Sequence, residues 1–239
     1  MSLDAADALG LARAHLAAAG VVHVRDARSA ARALAFCNQL GTVWSETRVF
    51  VDARARRFVL SPAAVPFHTD SVRASLCAWY CVTPCPTAGA SRYLDARAAL
   101  DQLGAEERAI AARLCCADLM DGLAAADRPL VPVIEPRPDG RTRVFWLPPR
   151  LQVPTDPRER AVAARLIALW RGDDPATPVV EVALAARELV IVDNHRMLHG
   201  RGAVPVDSPR ELYRMWIDTY GWPDAAARRV RVVAALAGA

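Results

Sequence analysis

Apolar positions along the chain change period several times, and the changes mark its elements. The opening stretch MSLDAADALGLARAHLAAAG carries its apolar residues at helical spacing and predicts an amphipathic helix that stops near Gly20. Val21 to Val24 predicts a short strand, and Asp26 to Leu40 a second helix closed by Gly41. The period then shortens. Arg48 to Asp52 and Arg57 to Ser61 predict a strand pair, Ser71 to Val82 a longer strand, and Pro84 to Gly89 a turn. Helical spacing returns over Asp95 to Leu114, with Asp95 as its cap. Val131 to Glu135 and Arg143 to Trp146 flank the hairpin turn Arg137-Pro138-Asp139-Gly140. Thr155 to Trp170 predicts another helix, capped by Thr155 or Asp156 with Pro157 in its first turn. Val179 to Val182, Glu188 to Asp193 and Leu212 to Tyr220 predict strands, and ELVIVD is apolar enough to be buried on both faces. Many short strands, with helices gathered at a few places, imply an α+β fold around a β-sandwich or barrel. The length suits one domain over residues 1–239.

Composition narrows the chemistry. Hydrophobic residues make up 53% of the chain, but many are alanine, so core volume must come from valine, leucine and tryptophan. The net charge of +4 rests on arginine alone, because the chain has no lysine. Lysine Schiff-base chemistry and P-loop phosphate binding are thereby excluded. Acidic residues are interleaved with the arginines, so no basic stripe for nucleic acid forms. Charges interrupt the first helix, and no segment is long and apolar enough for a signal core or a membrane span; a cytoplasmic protein is the expectation. The six cysteines lack paired zinc spacing, and Cys77 and Cys81 read as small core residues on one strand face. GxSxG, GxGxxG and P-loop patterns are absent.

Five histidines remain to carry chemistry. His68 and Asp70, in Phe67-His68-Thr69-Asp70, sit at the predicted start of a strand, where period two aims both at one face. Such a pair alone is commonplace, and its bland reading is a surface or turn pair. The second element is Asn194-His195-Arg196-Met197-Leu198-His199-Gly200-Arg201, directly after ELVIVD, where rigid scaffold delivers His199 to the rim of a core. Two imidazoles and one carboxylate would leave three adjacent positions open on iron(II). His195 stands four residues before His199, but the strand before it and the glycine after it speak against a helical pair, so it reads as structural. His15 and His23 have no partners in the sequence pattern.

These segments, with Arg210-Glu211-Leu212-Tyr213-Arg214, resemble the iron/2-oxoglutarate dioxygenases of the taurine dioxygenase and clavaminate synthase-like type, from about Gly20 to Tyr220. The resemblance implies a double-stranded β-helix (a jelly roll, cupin-like) with flanking helices and with His68, Asp70 and His199 as iron(II) ligands. It implies 2-oxoglutarate and O₂ as cosubstrates, with Arg210 gripping the far carboxylate as a guanidinium fork. Arg214 matches the position that approaches substrate or cosubstrate. The family's Gly-Gly-x-Thr stretch is here Ala88-Gly89-Ala90-Ser91, so Ser91 stands in for the threonine hydroxyl. Asp70 keeps the carboxylate that halogenating relatives lack, which favours hydroxylation of an unactivated C–H. Phe67, Thr69, Arg73, Trp79 and Trp216 are expected near the pocket, and Arg73, Arg201 and Arg214 hint at a small anionic substrate in specialised metabolism. A homo-oligomer is compatible with this reading. Two others stay open on the same ligands: a cupin-like metalloenzyme that does not use 2-oxoglutarate, and a non-catalytic binding protein.

Overall fold

Period-two burial sorts the strands into two antiparallel sheets whose inner faces meet. The computed structural model describes residues 1–3, 7–55, 59–118, 128–137 and 140–220. One sheet has five strands in the order β1 (Val21–Val24), β11 (Leu189–Asp193), β4 (Leu76–Thr83), β13 (Glu211–Asp218) and β2 (Thr42–Phe50). The other has four, in the order β10 (Val179–Val182), β5 (Ser91–Asp95), β12 (Met197–Arg201) and β3 (Val65–His68). Two small pairs complete the strands: β6 (Cys115–Ala117) with β7 (Leu130–Pro132), and β8 (Ile134–Pro136) with β9 (Thr142–Val144).

Alternate residues of each central strand serve different cores. On the five-stranded sheet Leu76, Ala78, Tyr80, Leu189, Ile191, Met215 and Ile217 face outward, under α1 (Ala8–Ala19) and α2 (Ala30–Leu40). Their neighbours Cys77, Val190, Val192 and Trp216 face inward and meet Tyr93 and Met197 of the other sheet. On the four-stranded sheet Phe67, Leu94 and Leu198 point away from that interior, toward α3 (Ala96–Leu100), α4 (Ala105–Ala111) and α5 (Pro157–Leu169). The result is helix, sheet, sheet, helix. All but the last residue of β11 is buried, as ELVIVD requires.

Local chemistry sets the helix ends. Asp7 accepts the Gly10 N–H, Ser29 that of Arg32, and Asp156 those of Arg158 and Glu159, each satisfying a donor that the first turn leaves unpaired. Gly20 ends α1 at φ 71°, where a side chain would be strained.

Several expectations need correction. The strand predicted from Ser71 starts at Leu76, because residues 71–75 form turns held by side-chain hydrogen bonds. The helix predicted over Asp95 to Leu114 is two short ones; Asp95 does cap the first, but the chain breaks at 101–104 and restarts from Gly104. Strand Arg48 to Asp52 belongs to a longer β2 that pairs with β13, not with its predicted neighbour. Of that neighbour, residues 59–61 form turns and bends and 57–58 lie outside the described residues. The 137–140 hairpin has Gly140 donating to the Arg137 carbonyl, with 138–139 outside the described residues. Strands β3, β5, β6 and β12 are not marked in the sequence pattern; unlike the equally short β1 and β10, which it does mark, they carry at most one valine or isoleucine.

Ile191 is fully buried against the helices, on the face of β11 opposite the sheet interior. Truncation by Ile191→Ala should lower unfolding free energy by about 2–5 kcal/mol, read as a reduced urea midpoint at unchanged slope.

Candidate metal centre

Strand pairing brings the two distant histidines together. His68 is the last residue of β3, not the first of a strand, and its register partner is His199 in the middle of β12. Their rings are 4.4 Å apart between centroids. Past β3 the chain leaves the sheet, and Asp70 turns its carboxylate toward both imidazoles: Oδ1 lies 3.9 Å from His68 Nε2, and Oδ2 lies 3.7 Å from His199 Nε2. One ligand atom from each residue falls within 4.8 Å of the others. All three side chains are buried.

A framework of hydrogen bonds fixes the carboxylate. Arg214 Nη1 donates to Oδ1 at 3.0 Å and Oδ2 at 3.2 Å, and the Trp216 indole N–H donates to Oδ2 at 2.8 Å. Both donors come from inward positions of β13. Behind Oδ2 the Cys77 thiol sits at 3.6 Å. The backbone of this segment is held by Asn194, whose side-chain oxygen accepts from the Asp70 N–H and whose amide donates to the Ser71 and Ala74 carbonyls. His195 is structural: its Nε2 donates to the Val72 carbonyl at 2.8 Å.

Electrostatics set the protonation states. Burial opposes ionisation of Asp70, yet Arg214 first, then the imidazoles and the indole N–H, hold its carboxyl well below the usual carboxylate range. Burial lowers His199 to about 3, with His68 adding to the effect, and burial also lowers His68 against the pull of Asp70. Burial, reinforced by Asp70, keeps Cys77 a thiol. The site is therefore a carboxylate with two neutral imidazoles, the state in which these groups bind a cation. His68 Nδ1 donates to the Pro66 carbonyl at 2.9 Å, which puts that ring's lone pair on Nε2, facing Asp70. Donor set, protonation and the His68 tautomer thus fit a divalent ion.

The same cavity is lined by Ser91, Tyr93, Trp79, Arg201, Arg210 and Arg214, with Val49, Val65 and Leu212 as apolar wall. Trp79 packs edge-on against the His199 ring, centroids 4.8 Å apart. Arg210 is buried, and among the described residues no carboxylate pairs with its guanidinium. Arg201 donates to the Ser61 and Gly202 carbonyls, so it braces loops. Three residues expected near the pocket lie elsewhere. Phe67 faces the outer core under the Arg92 guanidinium, Thr69 bonds the Trp146 backbone, and Arg73 stacks over Trp44. Sequence reasoning missed Asn194, Cys77 as a partner of Asp70, and Tyr93. Strand alternation points to the last two: Cys77 shares the face of Trp79, and Tyr93 that of Ser91.

The sequence profile of the taurine catabolism dioxygenase TauD, TfdA family matches residues 1–216. No curated protein sequence matches the chain. Among solved structures, asparagine oxygenase in complex with Fe(II), 2S,3S-3-hydroxyasparagine and succinate superposes with TM-score 0.70 at 17% identity, covering 88% of this chain and 80% of that one. The non-haem iron oxygenase OrfP with Fe and α-ketoglutaric acid gives 0.70 at 16% identity, covering 88% and 78%. AAD-2 with Mn(II) and N-oxalylglycine gives 0.72 at 18% identity, covering 92% and 90%.

Two outcomes follow from the framework. Asn194→Ala strips partners from a buried N–H and two carbonyls, and should cost about 2–3 kcal/mol of stability by urea denaturation. His195, depressed by burial to about 4, stays neutral in the folded state while an unfolded chain takes its proton near 6.5. Between those values the unfolded state holds more protons, so His195's share of stability is complete above pH 6.5 and is lost toward pH 4. His195→Gln, which keeps an amide donor, should flatten the stability–pH slope there by up to about one proton.

Proposed function

As the chain belongs to the taurine catabolism dioxygenase TauD, TfdA family, we propose that His68, Asp70 and His199 hold iron(II) in a 2-oxoglutarate-dependent oxygenase that hydroxylates a small, carboxylate-bearing molecule. The observation that carries this reading is one cavity with a buried two-histidine, one-carboxylate cluster on one wall and the carboxylate-free cation of Arg210 on another. When bound, iron, 2-oxoglutarate and O₂ together supply the oxidising chemistry, converting the 2-oxo acid to succinate and CO₂ as a substrate C–H becomes C–OH.

The chain's own residues have separable tasks. Arg210 offers a planar fork of N–H donors to the far carboxylate of 2-oxoglutarate, and Ser91 a hydroxyl beside it. Arg214 and Trp216 orient the Asp70 carboxylate and keep it ionised. Trp79 fixes the plane of the His199 ring by packing on it, and the apolar wall keeps the cavity poor in competing water. The two facing antiparallel sheets support a double-stranded β-helix as the architecture, and their shared interior supports one catalytic domain. Hydroxyasparagine and hydroxyarginine in complexes of asparagine oxygenase and OrfP support an amino-acid-like substrate.

Anaerobic titration with iron(II) and 2-oxoglutarate should produce the visible metal-to-cosubstrate charge-transfer band. His199→Ala should abolish it. Arg210→Met should leave Mn(II) binding intact and raise the Kd for 2-oxoglutarate about 100-fold, since a buried charge-assisted pair of hydrogen bonds is removed. A band that persists in His199→Ala would refute the ligand assignment.

A further inference from the structure

Next to Arg210 the cavity holds a polar group that the proposed function leaves unused. Tyr93 lies two residues beyond Ser91 on β5, so both side chains face the sheet interior, and its register partner on β12 is His199. The residue is about 1% exposed, and among the described residues only the Ser91 hydroxyl lies near enough to interact with its hydroxyl, without the geometry of a full hydrogen bond. Leaving a buried hydroxyl unpaired is unfavourable by about 1–3 kcal/mol, so such groups call for an explanation. Its polar neighbours are the Ser91 hydroxyl and the Arg210 guanidinium. Burial pushes the phenol above its ordinary range, so it remains a proton donor. The ionisable groups that face Arg210 are Cys81, Cys85, Tyr93 and the Arg201 guanidinium, with no carboxylate among them. Tyr93, Ser91 and Arg210 thus offer hydrogen bonds with no carboxylate among them, on one side of a cavity whose other side is the metal cluster.

We propose that Tyr93 donates a hydrogen bond to the carboxylate that Arg210 binds, the end of 2-oxoglutarate remote from the metal, and so acts as a positioning residue that selects a dicarboxylate over a monocarboxylate 2-oxo acid. The inference rests on the proposed function and deepens it. Ser91, one methyl smaller than threonine, leaves the anchor with a less constrained hydroxyl, and the rigid phenol supplies a second one. Phenylalanine has the same ring and fills the same space, so Tyr93→Phe removes the donor without opening a cavity in the surrounding core.

The test compares wild type, Tyr93→Phe and Arg210→Met for anaerobic binding of 2-oxoglutarate and of 2-oxopentanoate, which lacks the remote carboxylate, to the iron(II)-loaded proteins, with Mn(II) affinity measured separately. The expected result is a roughly 10-fold or greater rise in Kd for 2-oxoglutarate in Tyr93→Phe, no change for 2-oxopentanoate, and unchanged Mn(II) affinity. Equal losses on both 2-oxo acids would mean a merely structural role and overturn the proposal. So would wild-type affinity in Tyr93→Phe alongside a loss in Arg210→Met, which would leave the proposed function standing. No 2-oxoglutarate binding by wild type would overturn both.

Discussion

A carboxylate with only 1% of its surface exposed needs strong local compensation to stay charged, and the centre of this molecule is organised around supplying it to Asp70. Left alone, such a group would take up a proton rather than bear the desolvation of its charge. Arg214 provides the opposing charge, Trp216 a directional N–H, and Asn194 fixes the backbone from which the side chain projects. Burial then works in the opposite sense on His68 and His199, which stay neutral. One buried environment thus yields an ionised acid and two unprotonated bases. That combination of states suits a metal cation.

The precision of this arrangement comes from the hydrophobic pattern. His199 faces inward because Leu198 faces outward, into the core beneath α5. Sliding β12 by one residue would bury His199 among those helices and turn Leu198 into the cavity. The apolar pattern that sets the fold therefore sets the site as well. Gly200 marks where the two demands meet. A Cβ there would lie 2.8 Å from the Val65 carbonyl oxygen, and the pairing of β12 with β3 shifts register across this point. Close approach of the two strands keeps His68 and His199 side by side.

How much of this was legible beforehand follows the same logic. Elements with a clear helical period or a run of valine and isoleucine, such as α5, β1, β10, β11 and β13, stand in the sequence within two residues of their observed bounds. His68, Asp70, His199, Ser91, Arg210 and Arg214, singled out in the sequence, line one cavity. Short strands poor in valine and isoleucine do not announce themselves, so the pattern puts His68 at the wrong end of a strand and leaves β12 unmarked. The pocket neighbours fared worst. Phe67, Thr69 and Arg73 are close to the ligands in sequence, but their side chains point elsewhere, since the chain reverses between Thr69 and Ser75. Asp70's partners Cys77 and Trp216 lie 7 and 146 residues away along the chain. Such contacts are properties of sheet register, and register emerges only when all the strands are paired.

The arginines of the cavity are satisfied in three different ways, and the differences are informative. Arg214 has the Asp70 carboxylate, and Arg201 has backbone carbonyls, which offer dipoles but no charge. Among the described residues Arg210 has neither, and burial lowers its pKa. Under the proposed reading, a divalent ion adds positive charge beside Arg214, and a dianion removes it beside Arg210. At the low effective dielectric of a buried cavity, charges several ångströms apart still interact appreciably. Metal and dianion must then stabilise one another reciprocally, because each offsets a charge that the other leaves in excess. The protein contributes to this coupling by holding Arg210 where, among the described residues, no carboxylate neutralises it.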